Sequence, residues 1–515
     1  MSENLIDCVC NESDPLQAQY RTDIACIALI KFRNMGITDE IIKSFESSTK
    51  DVIYPWNPRY NSLRIDVNRR FNVFPLIIVM ARTVSDVQTA LNFAIKYKLQ
   101  VCARSGGHSN EAYSLCTGMV IDQSMRKEIN VNTEKMCVNV EAGVLNGDLV
   151  AALAKYNLML PVGTCPNVGI SGLVLGGGVG FAMRQYALTC DNLIEFDIIL
   201  ADGSLVTVNE KNNADLFWAC RGGGGGNFGI VVNFTFKVHP VGDVTIFEIT
   251  HDIKYIEETL QLWQKWAPKI DSRLTAEYNV VSSNSLVSKQ LYESIKPKLL
   301  IYQPKKVSHI IITGLFLGDQ DELTKLLKPF KDLKVKYESF MIKRVSFIES
   351  ARNFAGKPHR LPFYKNKTFF VDEAINICGI KMIKKFFENA PTDSRLEFQA
   401  FGGALSKVPA EITAFQNRKA LFWCNFGTSW YDENYQDIHM KWVRELWDSF
   451  LKYSNHQCYV NFPDEDLGKK YMKYYYGKNR KRLIAIKKKY DPTYIFNFHQ
   501  VIREISNDKK HKCCK

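Results

Sequence analysis

Apolar and polar positions follow two rhythms along this chain, and the rhythm changes near residue 240. Residues 75–80 (PLIIVM) form a short apolar run that suits a buried strand. Thr83-Val-Ser-Asp86 opens a helix with Ser85 or Asp86 near its cap, and Val87, Leu91 and Ala94 share one face. Residues 99–103 predict the next strand, so the order strand–helix–strand marks an α/β unit. Residues 119–122 and 138–141 predict further strands, and 149–156 a helix. Residues 197–200 and 204–208 flank Asp202-Gly203, a hairpin turn signal, and 228–238 are rich in β-branched and aromatic residues. Beyond Pro240 glycine thins out. Alternation returns at 244–250, 310–317 and 421–430, and helical spacing appears at 255–266, 321–328, 375–389 and 433–453. That mixture predicts an antiparallel sheet with helices, an α+β arrangement. Residues 1–50 predict no clear element.

Composition narrows the class. With 515 residues, 46% hydrophobic and 23% charged, the chain has the make-up of a globular protein of several domains, and 31 Phe, 23 Tyr and 8 Trp exclude disorder as its main state. The uncharged stretch 169–183 is too short and glycine-rich for a membrane span. The start, MSENLIDCVC, has neither a basic opening nor an apolar stretch, so no secretory signal is seen and a cytoplasmic location with reduced cysteines is expected. On that expectation the sequons at Asn11, Asn233 and Asn366 carry no weight. Cys8, Cys10, Cys513 and Cys514 lack the Cys-x-x-Cys spacing of a metal site, and no metal is expected. The net charge of +13 is concentrated in residues 467–515, where 15 Lys or Arg face 3 Asp or Glu. A solvated helix face at 477–489 and a basic tail account for it. No aromatic–basic motif accompanies the charge, so no specific nucleic-acid partner is expected.

Three glycine-rich segments carry the chemistry. Arg104-Ser-Gly-Gly-His-Ser109 follows a strand directly, and its paired glycines let backbone approach a ligand closely beside His108. The segment 162–180 (VGTCPNVGISGLVLGGGVG) is far too rich in glycine for a packed helix or strand. It suits backbone amides wrapped around phosphates or a flat ring. It lacks the acidic strand end of a dinucleotide fingerprint and the Gly-Lys-Ser/Thr of a P-loop. Five consecutive glycines, 222–226, precede the strand at 228.

Together these segments resemble the berberine-bridge-enzyme-like branch of the flavin oxidases with the p-cresol methylhydroxylase or vanillyl-alcohol oxidase fold. The resemblance runs from about Phe74 to Val238 and resumes from Cys458 to Arg503, through Tyr459-Val-Asn-Phe-Pro-Asp464, Tyr475-Tyr-Gly477-Lys-Asn479, Lys489-Tyr-Asp-Pro492 and Asn497-Phe-His-Gln500. It implies an N-terminal extension (1–50), a bipartite FAD-binding domain (51–240 and 456–503), an inserted substrate domain of antiparallel sheet and helices (241–455) and a basic tail (504–515). It also implies FAD bonded to His108 through the 8α-methyl and to Cys165 through C6. The cofactor shell carried over comprises Arg104, Ser105, Gly106, Gly107, Ser109, Val168, Gly169, Gly172, Gly176, Gly177, Gly178, Gly180, Ile230 and Asn461. A valine at position 168 is associated in the family with oxygen access, which implies an oxidase yielding hydrogen peroxide.

The reaction implied is removal of a hydroxyl proton as hydride leaves the same carbon. In alcohol- and sugar-oxidising members the tyrosine of Tyr-x-Asn takes that proton, which implies Tyr459. A free phenol titrates near 10, so the site must help it ionise. Asn425 stands where alkaloid-cyclising members carry a catalytic glutamate, and Phe462 where they carry a histidine, which argues against cyclisation. On the strand 396–400, Glu397 and Gln399 point to one face. They are expected to bond substrate hydroxyls, with Glu397 a second candidate base. Trp423, Asn425, Phe462, Trp430 and Tyr113 are candidate wall residues. The expected activity is thus an FAD-dependent oxidase of a sugar or other alcohol, with O2 as acceptor. A dehydrogenase using another acceptor, a flavin-binding protein with decayed chemistry, and a polyanion binder are the rivals.

Overall fold

The computed structural model describes residues 15–283, 307–354 and 362–505. Cys8, Cys10, Cys513, Cys514, Asn11 and most of the basic tail lie outside them.

The described residues begin with two helices where the sequence predicts none, Pro15–Asn34 and Asp39–Ser48. Thr38 caps the second, and Ile42 and Phe45 bury its inner face, with Phe45 stacked on Phe93 at 4.1 Å between ring centroids. A four-stranded sheet follows: β1 (Val52–Ile53), β2 (Ile77–Met80), β3 (Val101–Arg104) and β4 (Met119–Asp122), in the order β1-β2-β4-β3, with β2, β4 and β3 parallel. All four residues of β2 are buried, as an uninterrupted apolar run requires in a parallel sheet covered on both faces. The helix Val84–Lys96 connects β2 to β3. Thr83 caps it and Asp86 returns the bond, so the cap lies two to three residues before the expected Ser85 or Asp86.

Next come β5 (Ile129–Asn132), β6 (Cys137–Glu141), the short β7 (Leu158–Met159), β8 (Leu193–Ile199), β9 (Leu205–Asn209) and β10 (Ile230–Lys237). Five of these form an antiparallel sheet, β5-β6-β10-β8-β9. The Asp202-Gly203 turn joins β8 to β9, with Gly203 at φ +82°. A two-residue strand, β11 (His239–Pro240), pairs with β7.

The third sheet has seven strands: β12 (Val244–Asp252), β13 (Leu274–Ser283), β14 (Val307–Phe316), β15 (Ser339–Val345), β16 (Phe363–Val371), β17 (Ser394–Ala400) and β18 (Phe422–Trp430). Their order is β15-β12-β14-β13-β17-β18-β16, antiparallel throughout. Helices Ile256–Trp266, Ile377–Glu388 and Gln436–Phe450 cover one face. Tyr278, Phe398 and Phe422 point into that layer and meet Trp263 at 5.9, 6.3 and 5.5 Å. Strand alternation sends the residues between them to the opposite face. The whole is an α+β fold.

The last segment returns to the first two sheets. Phe496 bridges Val101 in parallel, and Lys487 Nζ bonds the carbonyls of Asn227 (2.6 Å) and Phe496 (2.8 Å) and the Asp491 carboxylate (2.6 Å).

Candidate active site

One cavity of about 950 Å³ lies between the glycine-rich loops and the uncovered face of the seven-stranded sheet. That is the upper end of the range for small-molecule and cofactor sites, about 300–1,000 Å³.

The loop after β3 forms part of the first wall. Arg104 anchors it by donating from Nε to Asp122 at 2.5 Å and lying 3.6 Å from Asp66, which Ser114 also bonds. Burial, opposed by Arg104, pushes the Asp66 carboxyl up to about 6. Gly107 turns the chain at φ +60°. Gly106 touches the second loop backbone to backbone, since a Cβ there would lie 2.4 Å from Gly169 N. His108 and Ser109 line the cavity, and burial lowers the His108 imidazole.

The second loop is pinned by Asn146, whose side-chain amide donates to the carbonyls of Gly163 (3.4 Å) and Cys165 (3.3 Å). Ser105 and Ser171 both donate to the Ala142 carbonyl at 2.6 Å. Cys165, Val168, Gly169 and Gly172 line the cavity. Burial pushes the Cys165 thiol up, against the pull of Arg395. Gly224, Gly225 and Gly226, from the five-glycine run, complete this wall.

Not every glycine carried over from the family pattern reaches the cavity. Gly176, Gly177, Gly178, Gly180 and Ile230 do not line it. A Cβ would lie 1.9 Å from Asn461 Oδ1 at Gly176, 2.2 Å from Thr189 Oγ1 at Gly178 and 2.0 Å from the Val162 carbonyl at Gly180. These glycines let loops pass one another, and Ile230 is a core residue, 1% exposed. Trp430 is likewise packing, stacked on His439 at 5.1 Å, and does not line the cavity.

Gly178 has a different task. Its N–H donates to the Tyr459 hydroxyl at 2.9 Å. Asn461 Nδ2 donates to the same oxygen at 3.0 Å and to the Leu173 carbonyl at 2.8 Å. Burial pushes the Tyr459 phenol well above its ordinary value, and these donated hydrogen bonds oppose it. Phe370, Phe415, Trp423 and Phe462 hold the ring.

The sheet supplies the facing wall. Register places Glu277 of β13 opposite Gln399 of β17, Asn279 opposite Glu397, and Glu397 opposite Asn425 of β18. Gln399 Nε2 donates to Glu277 Oε1 at 2.8 Å, and Asn425 Nδ2 to Glu397 Oε2 at 3.4 Å. Arg395, Trp423 and Tyr364 stand on the same wall. Burial first, and the charge of Glu397 second, hold the Glu277 carboxyl well above the usual carboxylate range, against Asn279 and Arg395. Sequence reading missed Glu277, Asn279, Arg395 and Tyr364. The alternation Thr275, Glu277, Asn279 between Ala276, Tyr278 and Val280 is the signal that marks β13.

These walls fit a large, flat, polar ligand. A Cβ at Gly172 would meet no heavy atom within 4 Å, so there the backbone itself is the wall. Tyr113 Oη, Asn425 Oδ1 and Trp423 Nε1 are buried at the cavity and make no hydrogen bond within the described protein.

Comparison with known proteins agrees. Residues 75–209 match the FAD binding domain family, and residues 458–503 the family described as berberine and berberine like. The FAD-linked oxidoreductase YgaK of Bacillus subtilis (strain 168) is 37% identical over 457 residues, covering 87% of this chain and 95% of that protein. Among solved structures, the BBE-like 1 protein of Physcomitrella patens superposes with a TM-score of 0.81 at 27% identity, over 90% of this chain and 99% of that one. A variant of Phl p 4 superposes with a TM-score of 0.79 at 25% identity, over 91% and 100%.

Proposed function

We propose a reaction for this chain, which belongs to the berberine-bridge-like family of FAD-linked oxidoreductases: oxidation of an alcohol carbon, of a sugar or another primary or secondary alcohol, with O2 as final acceptor and hydrogen peroxide as product. The observation that carries it is the convergence of His108, Cys165, Tyr459 and the polar strand face on one cavity. Bound FAD supplies the hydride-accepting chemistry. In this reading it is held by covalent bonds to His108 and Cys165, with the loops around Gly106, Gly169 and Gly225 shaping its bed. Residues 51–240 and 456–503 make up the cofactor domain, and 241–455 the substrate domain inserted between them.

Tyr459 accepts the hydroxyl proton. To do so it must already be the phenolate, which the transfer neutralises; the Gly178 amide and Asn461 donate to that oxygen and stabilise its negative form against the burial that disfavours it. Glu397, Gln399 and Asn425 orient the substrate, while Trp423 and Phe462 exclude water beside it. Val168 lines the same cavity. The Phl p 4 variant noted above, in which valine replaces isoleucine, is described as a glucose oxidase, which supports an oxidase here.

The test is a panel of sugars and simple alcohols read by flavin bleaching without oxygen, then by peroxide yield in air. Bleaching by an alcohol with stoichiometric peroxide is expected, and bleaching without peroxide would make the enzyme a dehydrogenase. Flavin should stay with the denatured chain in the wild type and in His108→Ala or Cys165→Ala alone, and leave only when both are replaced. Flavin released from denatured wild type would sink the double attachment.

A further inference from the structure

We propose that Glu277 determines specificity: its carboxyl keeps a proton and, beside the Glu397 carboxylate, presents one donor and one acceptor to adjacent hydroxyls of a neutral polyol. This rests on the reading of the same cavity as an alcohol-oxidising site.

The two carboxyls are diagonal neighbours on one face of β13 and β17, because Glu277 pairs with Gln399 and Glu397 with Asn279. Diagonal positions lie about 7–8 Å apart at the backbone, within reach of long side chains. Each carboxyl is braced by an amide from the adjacent strand, Gln399 for Glu277 and Asn425 for Glu397. Among the described residues, the charged and titratable groups that face Glu277 are few. They are Arg395 and Glu397 on β17, Glu248 on β12 (reached through Thr313 of β14) and Cys165 from the loop across the cavity. Arg395 is the one cation among them. Arg395 acts on Glu277 through its charge and not through an ion pair, and one guanidinium offsets one carboxylate, so the other member of this half-buried pair is best accommodated with its proton. Burial and the Glu397 charge assign that proton to Glu277. A neutral acid beside a carboxylate matches a pair of hydroxyls, each of which both donates and accepts. The remaining carboxylate repels anionic substrates.

Glu277→Gln keeps the shape with a permanently neutral donor, and Glu277→Ala removes it. With an aldose as reductant under anaerobic conditions, the Gln variant should bind close to the wild type at neutral pH. The Ala variant should bind about 10–100-fold more weakly with little change in limiting rate. Raising the pH deprotonates Glu277, so wild-type affinity should fall on the alkaline side while that of Glu277→Gln should not. Independently of turnover, the infrared difference between wild type and Glu277→Gln at neutral pH should contain the C=O stretch of a protonated carboxylic acid. No such band, or a Gln variant as impaired as the Ala variant, overturns the proposal. Reduction of the wild-type flavin by an aromatic alcohol but by no polyol overturns the polyol assignment. A wild type that no alcohol reduces overturns the alcohol-oxidising reading itself, while the infrared band still reports the Glu277 proton.

Discussion

The cavity has two walls made of different material. On one side the loops around Gly106, Gly169, Gly172 and Gly225 present main chain, and on the other β13, β17 and β18 present Glu277, Glu397, Gln399, Trp423 and Asn425. A main-chain wall offers amides and carbonyls whose identity no substitution alters, but it tolerates no added volume where loops touch, as at Gly106 and Gly169. A side-chain wall can be rewritten residue by residue while the strands keep their register. On the function proposed above, the first suits a ligand that never changes, the FAD, and the second a substrate that can differ between relatives. Tyr459 belongs to neither wall. It sits at the junction, with its hydroxyl held by the loop amide of Gly178 and its own amide donating to Thr368 of β16 at 3.0 Å.

The largest effect should therefore come from that junction. Tyr459→Phe keeps the ring and its aromatic neighbours and removes the proton acceptor. Loss of general-base assistance slows a reaction by about 10²–10⁴-fold. Anaerobic flavin reduction should slow by that factor, with flavin content unchanged and the fold retained at a slightly lower melting temperature, because the Gly178 amide loses its acceptor. If the rate stays near wild type while Glu397→Gln loses it, the proton goes to the sheet wall instead and the junction is only a brace.

A second prediction concerns the seam that holds the walls together. Lys365 of β16, fully buried, bonds Glu111 at 2.5 Å and Asp464 at 2.7 Å, and Lys367 bonds Asp464 at 2.6 Å and Asp466 at 3.0 Å. Lys365→Met leaves two buried carboxylates short of a cation, which typically costs about 3–5 kcal/mol. The pH dependence has a definite sign. Burial pushes the Asp466 carboxyl up, but Arg444, Lys365 and Lys367 outweigh it and hold the group below its ordinary range. A depressed carboxylate stabilises the fold above its unfolded value of about 3.9, and that contribution fades as pH falls. The melting gap between wild type and Lys365→Met should thus be widest near neutrality and narrow on acidification. A gap independent of pH would mean that lost packing, not charge, carries the effect.

The two walls were not equally legible. The main-chain wall was readable because glycine density at 104–109, 163–172 and 222–226 reports a backbone constraint, although the expectation that 162–180 holds no packed helix fails at Ile170–Leu175, a short helix that buries Ile170, Val174 and Leu175 and leaves Gly172 on its open side. Glycine density does not report what the backbone approaches, so Gly176 and Gly180 read as cofactor contacts when they make room for Asn461 and the Val162 carbonyl. Glu397 and Gln399 were found because a single strand shows its own alternation. Glu277 was missed because its place beside them depends on pairing between strands more than 100 residues apart. The helix Asp39–Ser48 escaped notice for a similar reason, since only Ile42 and Phe45 are buried along it.

The smallest effect on the fold is expected at Gly172, and it separates the two uses of glycine most directly. Gly172 lies within the helix Ile170–Leu175, where alanine is favoured over glycine by about 0.5–1 kcal/mol. An added Cβ meets nothing within 4 Å. Flavin-free Gly172→Ala should melt at or slightly above the wild-type temperature. Gly106→Ala, which must push apart two backbones, should lose about 1–3 kcal/mol, as overpacked sites do. Flavin content should respond differently: both variants should bind less, because in Gly172→Ala the new methyl group projects into the space the cofactor needs. A Gly172→Ala protein with full flavin content and an unshifted flavin spectrum would show that the main-chain wall around Gly172 does not touch FAD, and the cofactor would then have to lie closer to the loop at 224–226.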